Sequence, residues 1–143
     1  MIKQHKYDII VFLALFAAGV SLYLTISHYL GFRVPCDITH GCQTVLTSKY
    51  SEIFGVPLSL LGIIYFVGVI GFALLANHYS LWRKLLTILL GLGTVSAIYF
   101  LSIQFFVLHT VCQYCLAVDL TSIILFLWDL NIEHTIEKSL KVI

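Results

Sequence analysis

Charged residues are scarce in this chain. Eight Lys and Arg together with seven Asp and Glu make up only 10% of the 143 residues, whereas soluble proteins carry about 25%. Apolar residues reach 60%, above the roughly 45 to 50% of soluble domains, and this excludes an ordinary soluble fold. A net charge of +1, with no basic stripe among the aromatics, excludes a nucleic-acid-binding surface. The sequence therefore predicts a membrane protein.

Long stretches without charge locate the membrane spans. A bilayer core of about 30 Å requires about 20 apolar helical residues. No Asp, Glu, Lys or Arg occurs from Leu85 to Val118, which is too long for one span, so we expect the chain to reverse at His109. The sequence predicts one all-α domain over residues 1–143, a polytopic four-helix membrane bundle. Its predicted spans are residues 9–30, 57–76, 85–108 and 111–130.

The distribution of Lys and Arg predicts the orientation of these spans. Arg33 and Lys49 lie in the first loop, and the other six lie near the N-terminus, between the second and third spans, or after the fourth. Because positive residues concentrate in cytoplasmic loops, both termini are predicted to be cytoplasmic. The first loop and the His109 turn then face outward.

All four cysteines fall on this predicted outer side, and none occurs elsewhere. Cys36 and Cys42 follow the first span, whereas Cys112 and Cys115 open the fourth. Disulfides persist outside the cytoplasm and are rare within it. An even set of cysteines confined to the oxidising side indicates redox chemistry.

Three kinds of chemistry compete for two close cysteine pairs. Structural disulfides gain most from long loops, and these pairs enclose only five and two residues. In an all-cysteine zinc site about two to four residues separate paired ligands, and the five residues between Cys36 and Cys42 depart from this spacing. His40 and His109 as additional ligands add little support for a metal site. We therefore expect no metal. Thiol–disulfide exchange, in which electrons pass from pair to pair, suits both spacings.

Asp119 extends the redox interpretation. Cys112 is predicted at the start of the fourth helix, where free N–H groups and the positive end of the helix dipole favour a thiolate. Asp119 follows Cys115 by four residues and Cys112 by seven, so all three are predicted to share one helix face. An acceptor within the membrane is needed for these electrons, and a lipid quinone fits. An ionisable side chain within a span is a functional candidate: Asp119 either supplies protons for reduction of the quinone or hydrogen-bonds to a Ser, Thr or Tyr of a neighbouring helix, such as Tyr23 or Tyr65.

The cysteine-bearing segments resemble those of the vitamin K epoxide reductase family, in particular its bacterial disulfide-forming branch. The resemblance rests on "CDITHGCQTVLTSKYSEIFGVPLSLLG", residues 36–62, and on the late "CQYC". It includes Ser48 six residues after the second cysteine, and Phe54-Gly55 ahead of the second span. It covers residues 11–128, nearly the whole chain.

The resemblance implies an outward-facing loop and short helix that cap a quinone site within the bundle. It implies that Cys115 reacts with the quinone, that Cys112 exchanges with Cys42, and that Cys36 meets the substrate thiols. Ser48 corresponds to the family's hydroxyl beside the site. Phe100, like Phe105 and Phe106, lies near the outer end of the third span, where aromatic residues either wall a quinone pocket or pack at the membrane interface. The candidate quinone contacts are Phe54, Phe105, Phe106, His109 and Tyr114.

Two departures from the family pattern refine the prediction. In "CLAVDL" Asp119 stands where the animal enzymes carry a tyrosine, which favours quinone over epoxide reduction. Many bacterial members carry a fused thioredoxin-like domain, whereas here the sequence ends shortly after the fourth span, so we expect a separate reduced thioredoxin-fold protein as partner. The sequence thus predicts a quinone-dependent thiol oxidase of a bacterial cytoplasmic membrane, with ubiquinone or menaquinone as acceptor. A vitamin K quinone or epoxide reductase and a non-catalytic, disulfide-stapled scaffold remain as alternatives.

Overall fold

Four long helices make up most of the computed structural model, which describes residues 2–33, 35–36, 44, 49 and 52–142. Each is long and apolar enough to cross a membrane, which confirms the predicted all-α membrane architecture. The helices are α1 (Ile2–Leu30), α2 (Leu58–Ala76), α3 (Ser80–Ser102) and α4 (Gln113–Val142).

The helices and the predicted spans differ most near the chain termini. Helix α1 begins at Ile2 instead of residue 9, and α4 continues to Val142 instead of ending at residue 130. The predicted membrane spans end where charged residues appear, but Glu and Lys are good helix formers. The helices therefore extend beyond the apolar runs.

The helices form a closed ring. Each of α2 and α3 packs against its neighbours in sequence, and α1 also packs against α4. The ring has two ends. The terminal end carries the helix ends near residues 5, 78 and 138, and the cysteine end carries residues 31–33 and 52–57 and the segment 103–112.

The terminal half of the ring is filled by apolar side chains. In α1, Tyr7, Ile10, Ala14 and Ala17 recur at helical spacing and are all at most 1% exposed. They join buried residues of the other three helices in one cluster. The other members are Phe66, Val69, Ala73, Ala76, Leu86, Leu90, Leu125 and Ile132.

The chain reverses between α3 and α4 at the residue predicted for it. Helix α3 continues into a five-residue π-helix, Ile103–Val107, and His109 then adopts a left-handed φ of 53°. The N–H of Leu108 donates to the Ile103 carbonyl at 2.9 Å, and the N–H of Thr110 donates to the Gln104 carbonyl at 3.1 Å. Two backbone hydrogen bonds that span five and six residues thus close the turn that leads to Cys112.

A small hairpin precedes α2, and sequence reasoning had not predicted it. Strand β1 (Glu52–Ile53) pairs antiparallel with β2 (Val56–Pro57). The turn residues Phe54 and Gly55 both have positive φ, 52° and 80°, as a two-residue hairpin turn matched to strand twist requires. The predicted short capping helix falls within residues 37–51, of which the structure describes only Thr44 and Lys49.

Candidate active site

Cys112 caps the N-terminus of α4 with its own sulfur. It lies immediately before Gln113, and its carbonyl accepts the first helical hydrogen bond, from the N–H of Leu116 at 2.8 Å. Its Sγ accepts the N–H of Cys115 at 3.4 Å, which is the N-cap arrangement with sulfur in place of oxygen. The capped N–H groups and the helix dipole both favour negative charge on this sulfur.

These contacts make Cys112 an activated thiol. A hydrogen bond from the Cys115 side chain, aided by the N–H groups of Cys115 and Tyr114, lowers the pKa of Cys112 from 9.0 to about 7 against the opposing effect of burial. A large fraction of the sulfur is therefore thiolate at neutral pH. Because the thiolate is the reactive form in disulfide exchange and a thiol of low pKa also leaves readily, Cys112 is suited to exchange with a neighbouring cysteine pair.

Pro35 and Cys36, which the structure describes after α1, lie beside the start of α4. Cys36 packs against Cys112, which is 0% exposed. The hydroxyl of Tyr114 donates to the carbonyl of Pro35 at 2.8 Å, and its ring packs against Tyr23 of α1. Tyr114 therefore holds the Pro35–Cys36 segment against the start of α4.

The described cysteines differ in oxidation state. Cys36 is disulfide-bonded, whereas Cys112 and Cys115 carry free thiols. The contact between Cys36 and Cys112 places a residue of the loop pair next to a residue of the membrane pair, and electron transfer between the pairs requires such proximity. Cys42 and Ser48, the other predicted residues of this loop, lie outside the described residues.

A cavity of about 880 Å³ occupies the cysteine half of the bundle. Cys115 and Asp119 both line it, as their four-residue spacing on α4 predicted. Its size suits a small organic molecule, and its walls are mainly apolar, with polar groups interspersed. Among the lining residues are Leu24, Leu61, Phe66, Leu89, Leu92, Phe100, Leu108 and Val118, and the polar side chains of Ser21, Ser59, Tyr65, Ser96, Gln104 and Ser122.

Asp119 faces this cavity without a hydrogen-bond partner among the described residues. The sequence had offered Tyr23 or Tyr65 as structural partners. Tyr65 lines the same cavity, whereas Tyr23 packs on Tyr114, and neither hydroxyl is hydrogen-bonded to Asp119 in the described part of the chain. The carboxyl group thus remains available to a molecule in the cavity.

A polar pair joins two walls at the loop side of the cavity. Nε2 of His28, on α1, lies 3.2 Å from Oε1 of Glu52, on β1, and both residues line the cavity. Lys49 lines it as well. The hairpin is thereby tied to the end of α1.

The five residues predicted to contact the quinone lie elsewhere. Of the described residues that line the cavity, none is Phe54, Phe105, Phe106, His109 or Tyr114. Phe54 is fully exposed at the hairpin tip, and Phe105 and Phe106 are 52% and 77% exposed on the π-helix. His109 is exposed in the turn. The π-helix presents its two phenylalanines to the bundle exterior and places Gln104 inside.

Sequence reasoning missed the polar wall of the cavity. Ser21, Ser59 and Gln104 lie within apolar runs, and a polar residue in such a run was the available signal. Among the described residues, no group of three or more His, Cys, Asp or Glu side chains is arranged to hold a metal ion.

The sequence model of the vitamin K epoxide reductase family matches residues 8–130. The matched range contains α2, α3 and parts of α1 and α4, and it includes all four cysteines and Asp119.

Proposed function

The chain belongs to the vitamin K epoxide reductase family, and on that premise we propose that it is a quinone-dependent thiol oxidase. The family couples thiol–disulfide chemistry to quinones within membranes. For this chain we propose a bacterial cytoplasmic membrane, with both termini cytoplasmic and the cysteines outside. The electron donor is a separate reduced thioredoxin-fold protein, and the acceptor is ubiquinone or menaquinone.

The proposed reaction moves two electrons through two disulfides. Two thiols of the partner reduce the Cys36–Cys42 disulfide and become a disulfide themselves. The resulting loop thiols then reduce a Cys112–Cys115 disulfide, which restores the loop disulfide. Each exchange breaks one S–S bond and forms another, and its direction follows the reduction potentials of the two pairs. The contact between Cys36 and Cys112 supports this second transfer.

The final step transfers the electrons to the quinone. Cys112 and Cys115 lose two electrons and two protons as their disulfide forms, and the quinone gains two electrons and two protons to become the hydroquinone. The single observation that carries the proposal is that Cys115 lines the cavity while Cys112 packs against Cys36. One face of the pair thus receives electrons, and the other delivers them.

Asp119 is proposed as a proton donor in this last step. It lines the cavity one helical turn beyond Cys115, where a quinone that reaches the sulfur passes its carboxyl group. A side chain positioned to transfer a proton in the transition state accelerates a reaction by roughly 10²- to 10⁴-fold. We therefore assign Asp119 to quinone protonation.

Quinone reduction by the purified protein tests the proposed function. Under anaerobic conditions in detergent, ubiquinone-1 or menadione is mixed with the protein and a reduced thioredoxin-fold protein, and the loss of oxidised quinone is followed by absorbance. We expect catalytic turnover by the wild type and none by Cys115→Ser. Equal rates in both, or no turnover by a correctly folded wild type with either quinone, contradict the proposal.

A further inference from the structure

One glutamine connects the cavity to the activated thiol. Gln104 lines the cavity and is only 3% exposed, and its side-chain Oε1 accepts the backbone N–H of Cys112 at 3.0 Å. We propose that Gln104 is a quinone-binding and positioning residue, which donates its amide N–H to a quinone carbonyl while its oxygen holds Cys112. This inference rests on the proposed quinone reduction and adds a residue to that site.

The chemistry of the contact fixes the orientation of the amide. A backbone N–H can only donate a hydrogen bond, so the atom that meets it must be the side-chain oxygen. The amide nitrogen of Gln104 is therefore left with two N–H donors. It has no hydrogen-bond partner within the described part of the chain. Gln104 lines the cavity, so a ligand there that carries an acceptor oxygen can take a hydrogen bond from this amide.

The position of Gln104 places this donor beside the reacting sulfur. Gln104 bonds to Cys112, Cys112 bonds to Cys115, and both Gln104 and Cys115 line the cavity. A quinone that reaches Cys115 therefore lies next to the Gln104 amide. A carbonyl oxygen is the natural acceptor for this N–H, and a quinone carries two of them.

The π-helix gives Gln104 its second role. In an α-helix the Gln104 carbonyl would accept the N–H four residues later, but here it accepts the N–H of Thr110. The main chain and the side chain of Gln104 therefore both hold the turn that leads to Cys112. Single π-helical turns are rare and frequently occur at functional sites. Movement of the Gln104 side chain is thereby communicated to the N-cap of α4.

Reduction of the quinone strengthens the proposed hydrogen bond. Negative charge develops on the carbonyl oxygens as electrons arrive, and hydrogen bonds to charged oxygen are roughly twice as strong as neutral ones. A donor held in place before the reaction stabilises that charge without reorganisation. Gln104 thus favours quinones over acceptors that lack a carbonyl group.

Two substitutions separate the two contacts of Gln104. Gln104→Glu keeps an oxygen for the Cys112 N–H but removes the amide donor, and Gln104→Met removes both groups at similar volume. The neighbouring Ser102→Ala is the control, because within the described part of the chain the Ser102 hydroxyl donates only to the Ile98 carbonyl of its own helix. We measure KM and kcat for ubiquinone-1 and for menadione, and the rate of Cys112 alkylation by iodoacetamide in reduced, quinone-free protein.

The loss of one hydrogen bond is expected to raise KM by up to about 10-fold. We expect this increase in both Gln104 variants and not in Ser102→Ala. We also expect slower Cys112 alkylation in Gln104→Met than in Ser102→Ala, since a loosened N-cap stabilises the Cys112 thiolate less. Wild-type KM in either folded Gln104 variant overturns the inference, and Gln104→Glu supplies this result if Gln104→Met does not fold. Absence of turnover in the wild type would instead overturn the proposed function.

Discussion

The two halves of this bundle are built from the same four helices but are packed differently. In the terminal half, Ala14, Ala17 and Ala73 join larger apolar side chains in a continuous core. In the cysteine half, small residues such as Ser21 and Gly62 line an open cavity instead. Small residues let membrane helices approach closely, yet here they also leave space where the facing side chains do not fill it. The filled half holds the helices at the spacing that keeps the other half open.

The largest expected effect separates the two cysteine pairs of the open half. Cys36→Ser should abolish turnover driven by a reduced thioredoxin-fold protein, a loss of at least about 10³-fold, because the loop pair can no longer form a disulfide. It should retain turnover driven by dithiothreitol, which reduces Cys112–Cys115 directly. Quinone absorbance with each reductant measures both rates.

Cys115→Ser is the matched variant for this comparison. It should lose turnover with both reductants, since the thiol that faces the cavity is removed. If Cys36→Ser loses both activities while remaining folded, the loop pair is not a separate electron carrier and the proposed route is wrong.

A pair of leucine substitutions tests the difference in packing. Leu125→Ala, in the filled core, should lower the free energy of unfolding by about 2 to 5 kcal/mol, because a buried void is left behind. Leu24→Ala should cost less, since Leu24 is 5% exposed and already borders the cavity. It should instead change the KM for quinone. Unfolding in mixed micelles and steady-state kinetics measure these effects, and equal destabilisation by both substitutions would show that the two halves are packed alike.

The sequence predicted the four helices because uncharged runs of about 20 residues mark membrane spans. The helical spacing of Cys112, Cys115 and Asp119 predicted one shared face; Cys115 and Asp119 both line the cavity, whereas Cys112 is not among its lining residues. The turn at His109 followed from length alone. These features depend on neighbours in sequence, which are visible without a structure.

The cavity wall was not predictable by the same means. The aromatic character of Phe105 and Phe106 predicted contact with the quinone, but whether a side chain faces the inside of the bundle or its exterior depends on the phase of the helix. The π-helix at Ile103–Val107 changes that phase, and no residue type in the sequence predicts a π-helix. Gln104 consequently faces inward, and the two phenylalanines face outward. The hairpin around Gly55 was likewise missed because its strands are only two residues long.

Asp119→Asn tests proton supply in the open half. The amide keeps the size of the side chain but cannot donate a carboxyl proton, so kcat for quinone reduction should fall by about 100-fold. Reduction of the loop disulfide by the partner protein, measured by trapping free thiols, should be unchanged. A variant with wild-type kcat would remove Asp119 from the mechanism and leave it as a wall residue.

Two glycine substitutions compare close packing in neighbouring helices. A Cβ at Gly93 would overlap the Tyr65 hydroxyl, whereas a Cβ at Gly71 meets nothing within 4 Å. Gly93→Ala should therefore lower the free energy of unfolding by about 1 to 3 kcal/mol and shift Tyr65, which lines the cavity. Gly71→Ala should be neutral or stabilising by up to about 1 kcal/mol, since alanine favours the helix. Equal effects would indicate that the Tyr65 ring moves aside at no cost.

The smallest expected effect concerns the pH dependence of Cys112. With a pKa of about 7, its alkylation rate in reduced protein should rise with pH and level off above neutrality, as thiol becomes thiolate. Cys115→Ala removes the side-chain hydrogen bond that contributes most to this lowering, so the midpoint should move upward towards 9.0. At neutral pH the variant should then react several-fold more slowly, because less of its Cys112 is thiolate. The decrease in rate should be smaller than the decrease in thiolate fraction, because a thiolate of higher pKa is intrinsically more nucleophilic. Iodoacetamide labelling between pH 5 and pH 10, read by mass spectrometry, gives both midpoints. An unchanged midpoint in Cys115→Ala would show that the helix N-terminus alone activates Cys112, and that the neighbouring thiol contributes nothing to it.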